Sequence, residues 1–180
     1  MKNNEPYLLI ELNDKNFIFF VVQFNENGEF KLLDTIIEIS KGINNGKIID
    51  SNISLDVIKK NLTILEKKIN HTFKSVTIIN NQKNLKCINV SGFKRCNGSQ
   101  VTSEDISYIL NNIKKQIIDN EPNFSIIHLF NSGFNLDRIK LDKLPIGLHG
   151  DFYSHHLTLF LLPKNDIKDL TFLFNKCYLN

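Results

Sequence analysis

Three apolar runs separated by two short polar turns occupy the first 40 residues, and this pattern constrains the fold more than any other feature of the sequence. The runs cover residues 7–12, 17–24 and 30–39. Nearly continuous apolar runs of this length, bounded by turn residues, predict buried β-strands. Asn27-Gly28 in the second turn supplies the positive φ angles that a tight hairpin needs. We therefore predict that the fold begins with an antiparallel meander of three strands.

The rest of the chain alternates helical and strand patterns. Apolar residues at helical spacing predict an amphipathic helix over residues 53–70. A second helix is predicted to begin at the cap sequence Thr102-Ser103-Glu104-Asp105, and a third to begin near Asn165 and run to the C-terminus. Further strands are predicted over residues 75–79, 85–95, 124–130, 134–139 and 151–162. Mixed sheets with helices on one face indicate an α+β architecture.

Two polar segments interrupt the apolar pattern and indicate how the chain is divided. They are Gln82-Lys83-Asn84 and Pro163-Lys164-Asn165. The segment between them is predicted to be a second unit inserted into the first. We therefore predict two small subdomains, with residues 1–82 and 164–180 in one and residues 83–163 in the other.

Charge and composition argue against several classes of protein. With 42% hydrophobic and 23% charged residues, the chain is an ordinary globular sequence rather than a disordered or fibrous one. The net charge is only +3 and the Lys residues are spread along the chain, whereas a nucleic-acid partner needs a concentrated basic face. Cys87, Cys96 and Cys177 are odd in number and lack CxxC spacing, so we expect free thiols in a reducing cytoplasm and no structural metal.

The sequence carries no recognisable motif of a catalytic or metal site. The sequence contains no GxSxG, GxxxxGK[ST] or GxGxxG pattern. His155-His156 lies in a predicted strand, where neighbouring side chains point to opposite faces and do not ligate one metal in the usual way. The segment from Gly42 to Gly46 is typical of a tight turn, and an anion held by its backbone amides is the less favoured alternative. We therefore predict a protein that is not an enzyme.

Six short segments, in order, resemble the N-terminal region of the FtsA family of bacterial cell-division proteins, which have an actin-like fold. No one segment is diagnostic, and the resemblance rests on their order along nearly the whole chain. The segments are Ile10-Glu11-Leu12, Lys41-Gly42-Ile43 through Gly46 with Asp50, Gln100-Val101-Thr102-Ser103-Glu104-Asp105-Ile106, Ile127-His128-Leu129, Leu144-Pro145-Ile146-Gly147-Leu148-His149-Gly150 and Asn175-Lys176-Cys177.

The resemblance implies a fold and an organisation. Residues 1–82 and 164–180 would form part of an actin-like, ribonuclease H-like subdomain. Residues 83–163 would form the inserted strand-helix-strand-strand subdomain that the family calls 1C. In the family, that subdomain mediates self-association and contacts with late division proteins.

The resemblance also implies partners and a location. The expected partners are a second copy of this chain, other FtsA-like subunits and late division proteins, and FtsZ only if a second actin-like half exists. No nucleic acid is expected. Membrane contact would need the family's C-terminal amphipathic helix, a segment absent from these 180 residues. The expected location is the cytoplasm, at the inner face of the cell membrane at the division site.

The phosphate-contacting turn departs from the family pattern. The family has a glycine followed by Thr or Ser, where this chain has Asn13-Asp14-Lys15. Without the glycine, close approach of the backbone to a phosphate is hindered, and the Asp14 carboxylate repels an anion. Full-length relatives bind ATP with Mg, but we expect no cofactor for this chain alone. If a nucleotide contact survives, the resemblance places it at Glu11, Asn13 and Asp14.

Three functional hypotheses follow. The first is a cell-division scaffold module that recruits division proteins at the septum. The second is a degenerate actin-like or sugar-kinase-type fragment that still binds a nucleotide at the first hairpin. The third is a basic RNA-binding module, which the net charge of +3 disfavours.

Overall fold

The fold consists of ten strands and three helices in the part of the chain that the computed structural model describes, residues 5–80 and 82–180. In chain order these are β1 (Pro6–Leu12), β2 (Asn16–Phe24), β3 (Phe30–Ile39), β4 (Ile43–Asn44), β5 (Lys47–Ile48), α1 (Ser51–Ile69), β6 (Val76–Asn80), β7 (Lys86–Arg95), α2 (Ser103–Asn120), β8 (Phe124–Leu136), β9 (Ile139–Leu141), β10 (Phe152–Pro163) and α3 (Lys164–Asn175). None of the helices in the described ranges is long and apolar enough to cross a membrane.

The chain divides into two compact units. The first comprises the described residues up to Lys83 together with Asn165–Asn180, and the second comprises Asn84–Lys164. In chain order, the second unit is thus inserted between two parts of the first.

The first unit is a four-stranded sheet with helices packed on one face. Its strand order is β3-β2-β1-β6, with β1 antiparallel to β2 and parallel to β6. Alternate side chains of β1 and β2 are fully buried against apolar residues of α1 and α3, because successive residues of a strand point to opposite faces. The core includes Leu8, Ile10, Leu12, Phe17, Phe19, Ile58, Leu62, Leu65, Leu173 and Phe174.

The second unit is a four-stranded antiparallel sheet with α2 on one face. The strand order is β7-β10-β8-β9. The buried stripe of α2, which includes Ile109 and Ile113, packs against alternate residues of β10. Gly92 of β7 lies beneath this helix, where a Cβ would overlap Ile109 Cγ2 and lie 3.0 Å from Ile113 Cδ1. This position therefore requires glycine for packing.

Two predicted elements differ from the observed ones. The strands predicted over residues 124–130 and 134–139 are one strand, β8, which pairs with β10 through two register shifts. The chain reverses only at Asp137 and Arg138, whose φ angles are 50° and 71°. The third helix was predicted to reach the C-terminus, which is wrong: it ends at Asn175, and Leu179 turns back into the core of the first unit.

Candidate functional site

The first candidate site is the turn between β1 and β2, where Asn13 organises the backbone. Its Oδ1 accepts hydrogen bonds from the amides of Lys15 at 3.0 Å and Asn16 at 2.8 Å. Its Nδ2 donates to Glu11 Oε1 at 3.0 Å. An Asn side chain that bonds its own following backbone forms an Asx turn, which replaces the glycine-dependent turn of the resembling family. The polar atoms of Asn13 are therefore engaged within the hairpin itself.

Asp14 connects this hairpin to the turn between β4 and β5. Its Oδ1 accepts a hydrogen bond of 2.8 Å from the amide of buried Gly46. The carbonyl of Gly46 in turn accepts a hydrogen bond of 2.8 Å from Nε2 of buried Gln82. Three segments far apart in sequence are thus joined through one glycine.

The turn that contains Gly42 is held against the start of α1. The Gly42 carbonyl accepts hydrogen bonds from the amides of Ile49 at 2.8 Å and Asp50 at 3.1 Å. Asp50 caps the helix, since its Oδ1 accepts from the Asn52 and Ile53 amides, each at 3.0 Å. Gly42 has a φ of 77°, which glycine adopts without steric cost.

One further ion pair lies in the first unit near these turns. Lys47 Nζ is 3.5 Å from Oδ1 of Asp166, a nearly buried carboxylate in the first turn of α3. Gln82 and Asp166 were not predicted as site residues. Nothing in the local sequence marks them, because their partners lie dozens of residues away.

The hairpin therefore brings together the three residues that the resemblance singled out, but with their polar atoms turned toward protein groups. An anion site made of backbone needs free N–H groups, and the Gly46 amide is bonded to a carboxylate. The Asp14 carboxylate also places negative charge beside that amide. Nucleotide contact by Glu11, Asn13 and Asp14 stays a prediction.

The second candidate site is the face of the second unit's sheet that points away from α2. We call it the aromatic face, and its ring-bearing residues are Phe93, His128, Phe130, Phe152 and Phe160. Phe93 stacks on Phe152 with a centroid distance of 5.3 Å, and Phe130 meets Phe160 edge-on at 5.8 Å. Phe93, Phe130 and Phe152 keep 63%, 55% and 40% of their surface exposed. Exposed clusters of large apolar side chains are typical of interaction surfaces.

A hydrogen-bonded histidine lies between the two groups of rings. His156 Nδ1 is 2.6 Å from Ser91 Oγ, and its Nε2 is 2.9 Å from Asn135 Nδ2. In this arrangement the Asn135 amide donates to Nε2, so the Nδ1–H donates to Ser91. This hydrogen-bonded ring places polar groups between the two apolar clusters.

His155 points to the opposite face of β10 from His156. It is buried, and its Nε2 donates to Asn131 Oδ1 at 2.8 Å. Burial lowers the pKa of His155, with a smaller contribution from neighbouring His156. Beside it, burial raises the pKa of Tyr153 to about 12. Both are therefore neutral core groups at pH 7.

The comparisons with known proteins agree with the resemblance seen in the sequence. Over 176 residues, 98% of this chain, it is 26% identical to the cell division protein FtsA of Buchnera aphidicola subsp. Schizaphis graminum. It is equally similar to the FtsA of Buchnera aphidicola subsp. Acyrthosiphon pisum. The chain spans 42% of the length of each relative. No family model matches it.

A solved structure shows the fold. The PilM-PilN type IV pilus biogenesis complex contains a chain that superposes with a TM-score of 0.66 at 9% identity, over 96% of this chain and 45% of that one. PilM is actin-like, so the prediction of a partial actin-like α+β fold is confirmed. The predicted resemblance to FtsA is confirmed as well.

Proposed function

We propose that this chain, similar to FtsA along nearly its whole length, is a cell-division scaffold module that works by binding proteins rather than by catalysis. The observation that carries the proposal is the 26% identity over 98% of the chain to proteins named for cell division. The proposed partners are a second copy, other FtsA-like subunits and late division proteins. FtsZ would be a partner only with a second actin-like half. The proposed location is the cytoplasmic side of the membrane at the septum.

The aromatic face is the surface that best supports this proposal. Three of its Phe side chains are exposed by 40% or more, in two clusters separated by the polar group around His156. Aromatic residues in a cluster carry much of the binding energy of protein interfaces, because they bury large areas with little loss of side-chain freedom. An exposed sheet face of this kind suits self-association or the binding of another folded protein.

The geometry of the first hairpin supports binding over nucleotide chemistry. The Asp14 carboxylate bonds the Gly46 amide and Asn13 bonds its own turn, so these groups stabilise the fold of the first unit. The alternative, a degenerate nucleotide-binding fragment, draws support from the closeness of the hairpin and the glycine turn. Calorimetry with Mg-ATP separates the two, since a Kd below about 100 μM, or about 5.5 kcal/mol of binding free energy, favours the nucleotide site.

The scaffold proposal is tested by association measurements on variants of the aromatic face. Phe93→Ser and Phe130→Ser are expected to weaken self-association, or binding of purified division proteins, by tenfold or more each, about 1.4 kcal/mol. Phe30→Ser is the matched control, since Phe30 lies on a strand of the first unit and is exposed by 69%, somewhat more than Phe93 or Phe130. The measurements are light scattering after size exclusion and cross-linking.

The result that contradicts the proposal is equally concrete. A chain that stays monomeric at all concentrations and binds no division protein has no scaffold function. Equal losses from all three substitutions would place the interaction outside the aromatic face.

A further inference from the structure

The sequence contains three Asn-Gly pairs, and all three lie in turns. They are Asn27-Gly28, Asn45-Gly46 and Asn97-Gly98. Asn is a thermolabile residue, and it is most reactive before glycine, because without a Cβ the glycine nitrogen approaches the Asn side chain with little crowding. Since the dipeptide is the same in all three, a difference in reactivity within the folded chain comes from the surroundings of each pair.

The reaction of an Asn-Gly pair is deamidation through a cyclic imide. The glycine nitrogen attacks Cγ of the Asn, so that a new N–Cγ bond forms and the Cγ–Nδ2 bond breaks. The proton of the glycine amide passes through water to Nδ2, which leaves as ammonia. Water then opens the ring at either carbonyl and gives Asp or isoaspartate. The reaction therefore requires that the glycine amide loses its proton and turns toward the Asn side chain.

The Asn45-Gly46 pair is held on both sides of its glycine. The Gly46 amide donates to Asp14 Oδ1 at 2.8 Å, and the Gly46 carbonyl accepts from Gln82 Nε2 at 2.8 Å. Asn45 and buried Gly46 have φ angles of 52° and 71°, the two positive angles of a type I′ turn. The carboxylate disfavours loss of the amide proton, because the amidate would be a second negative charge beside it. Both requirements of the reaction are thus opposed at this pair.

The Asn97-Gly98 pair is restrained by uncharged groups. The Gly98 amide donates to the Gly150 carbonyl at 3.1 Å, and the Gly98 carbonyl is 3.0 Å from Nδ1 of His149. The φ angles of 49° and 76° give the same form of turn as at Asn45-Gly46. Since the amide is bonded to a carbonyl and not to a carboxylate, we expect an intermediate reactivity here.

The Asn27-Gly28 pair is the least restrained of the three. It lies in the turn between β2 and β3, and both of its residues are exposed. The Gly28 amide donates to the Asn25 carbonyl at 3.1 Å, within the same short turn. A Cβ added at Gly28 would meet nothing within 4 Å, so the space around this nitrogen is open. Movement of the Gly28 nitrogen toward the Asn27 side chain therefore displaces no packed group.

We propose that Asn27 is a deamidation site of this protein and that the hydrogen bond from Gly46 to Asp14 protects Asn45. In the folded chain Asn27 reacts first, Asn97 more slowly and Asn45 last. This gives Asp14 a chemical role in the first unit that does not depend on a phosphate ligand.

The modification changes both the charge and the backbone of the turn. The product at Asn27 adds a carboxylate between Glu26 and Glu29, so it lowers the net charge of +3 by one. In the isoaspartate form it also adds a methylene group to the backbone that joins β2 and β3. The proposal rests on the surroundings of the three pairs and is independent of the cell-division role.

The test follows the three pairs in a single sample. The folded chain is incubated in mildly alkaline buffer, and peptide mapping by mass spectrometry measures the acid formed at each pair. Asn27 is expected to react about tenfold faster than Asn45 or more, which corresponds to about 1.4 kcal/mol in activation free energy. In urea that unfolds the chain, the three rates are expected to converge, because the tertiary contacts of each pair are then lost.

Two variants separate the charge of Asp14 from the rest of the fold. Asp14→Asn removes the negative charge but keeps an acceptor for the Gly46 amide, and is expected to speed the reaction at Asn45 about tenfold. Asn27→Gln is the matched control, since it removes the first product and is expected to leave the rates at Asn45 and Asn97 unchanged. Urea unfolding checks that both variants fold, and the ranking in the unmodified chain tests the proposal without either of them.

Three results would overturn the proposal. The first is a reaction at Asn45 or Asn97 as fast as at Asn27 in the folded chain. The second is the same ranking in urea, which shows that neighbouring residues in the sequence set the rates. The third is an unchanged rate at Asn45 in folded Asp14→Asn, which shows that the carboxylate gives no protection.

Discussion

Replacing Gly42 by Ala tests whether the turn before α1 depends on close packing as well as on backbone conformation. Gly42 has a φ of 77°, and a Cβ there would overlap the Asp50 carbonyl oxygen and lie 2.5 Å from Ser54 Oγ. The left-handed conformation costs an Ala about 1–2 kcal/mol. The overlap adds about 1–3 kcal/mol, because the carbonyl is part of the backbone that starts the helix. We expect Gly42→Ala to lower the free energy of unfolding by about 2–5 kcal/mol.

Gly28→Ala is the matched control. Gly28 has nearly the same φ, 79°, but a Cβ there would meet nothing within 4 Å. Both substitutions restrict the unfolded chain equally, so this contribution cancels when they are compared. The difference between them isolates the packing of Gly42 and is expected to be about 1–3 kcal/mol.

Urea unfolding followed by far-ultraviolet circular dichroism measures the difference. With an m-value of about 2 kcal/mol/M, a difference of about 2 kcal/mol separates the two midpoints by about 1 M. Equal midpoints for Gly42→Ala and Gly28→Ala would refute the reasoning, because the turn would then relax without cost around the added methyl group.

Three further predictions concern the second unit, and all are measured as the free energy of unfolding in urea. Gly92→Ala is expected to cost about 1–3 kcal/mol, because the added methyl group would push α2 away from the sheet. Gly133→Ala is the control and is expected to change stability by less than about 1 kcal/mol, since its Cβ would lie 3.6 Å from the nearest atom of His156. Asp105→Asn is expected to cost about 1 kcal/mol at pH 7, because the hydrogen bond from Lys94 stabilises the ionised carboxylate and lowers the pKa of Asp105. This stabilisation is present above the unfolded-state pKa of about 3.9. The difference in stability between the variant and the unmodified chain is therefore expected to disappear as the pH falls through the lowered pKa. Burial lowers the pKa of His155, so the unfolded chain binds a proton more readily than the folded one. The free energy of unfolding is therefore expected to fall as the pH drops below about 6.5. His155→Gln should flatten this dependence, and an unchanged pH profile would show that His155 is not its source.

Local sequence patterns were sufficient for most of the secondary structure. The first meander follows from three apolar runs and the turn at Asn27-Gly28, and the predicted cap of α2 is present as a capping box between Thr102 and Asp105. Both signals act within a few residues. The end of α3 was missed, because Leu179 is drawn into the core by contacts with elements more than 100 residues earlier in the chain.

The candidate sites were predictable only in part. The residues of the first hairpin follow from its resemblance to a phosphate turn, but the use of Asp14 does not, since its partner Gly46 is 32 positions away. The aromatic face was not predicted. Its rings come from three strands, and strand order cannot be read from alternation within each strand.

By itself, the sequence determined which segments are strands and helices and which family the chain resembles, because periodicity, caps and turn residues act locally and survive in short motifs. The tertiary structure alone decided that the Asp14 carboxylate bonds the Gly46 amide and that aromatic rings lie together on an exposed face of the second unit's sheet. Each of these depends on pairing between distant segments. Such pairing is set by the packing of the whole sheet, and not by the order of residues within any one element.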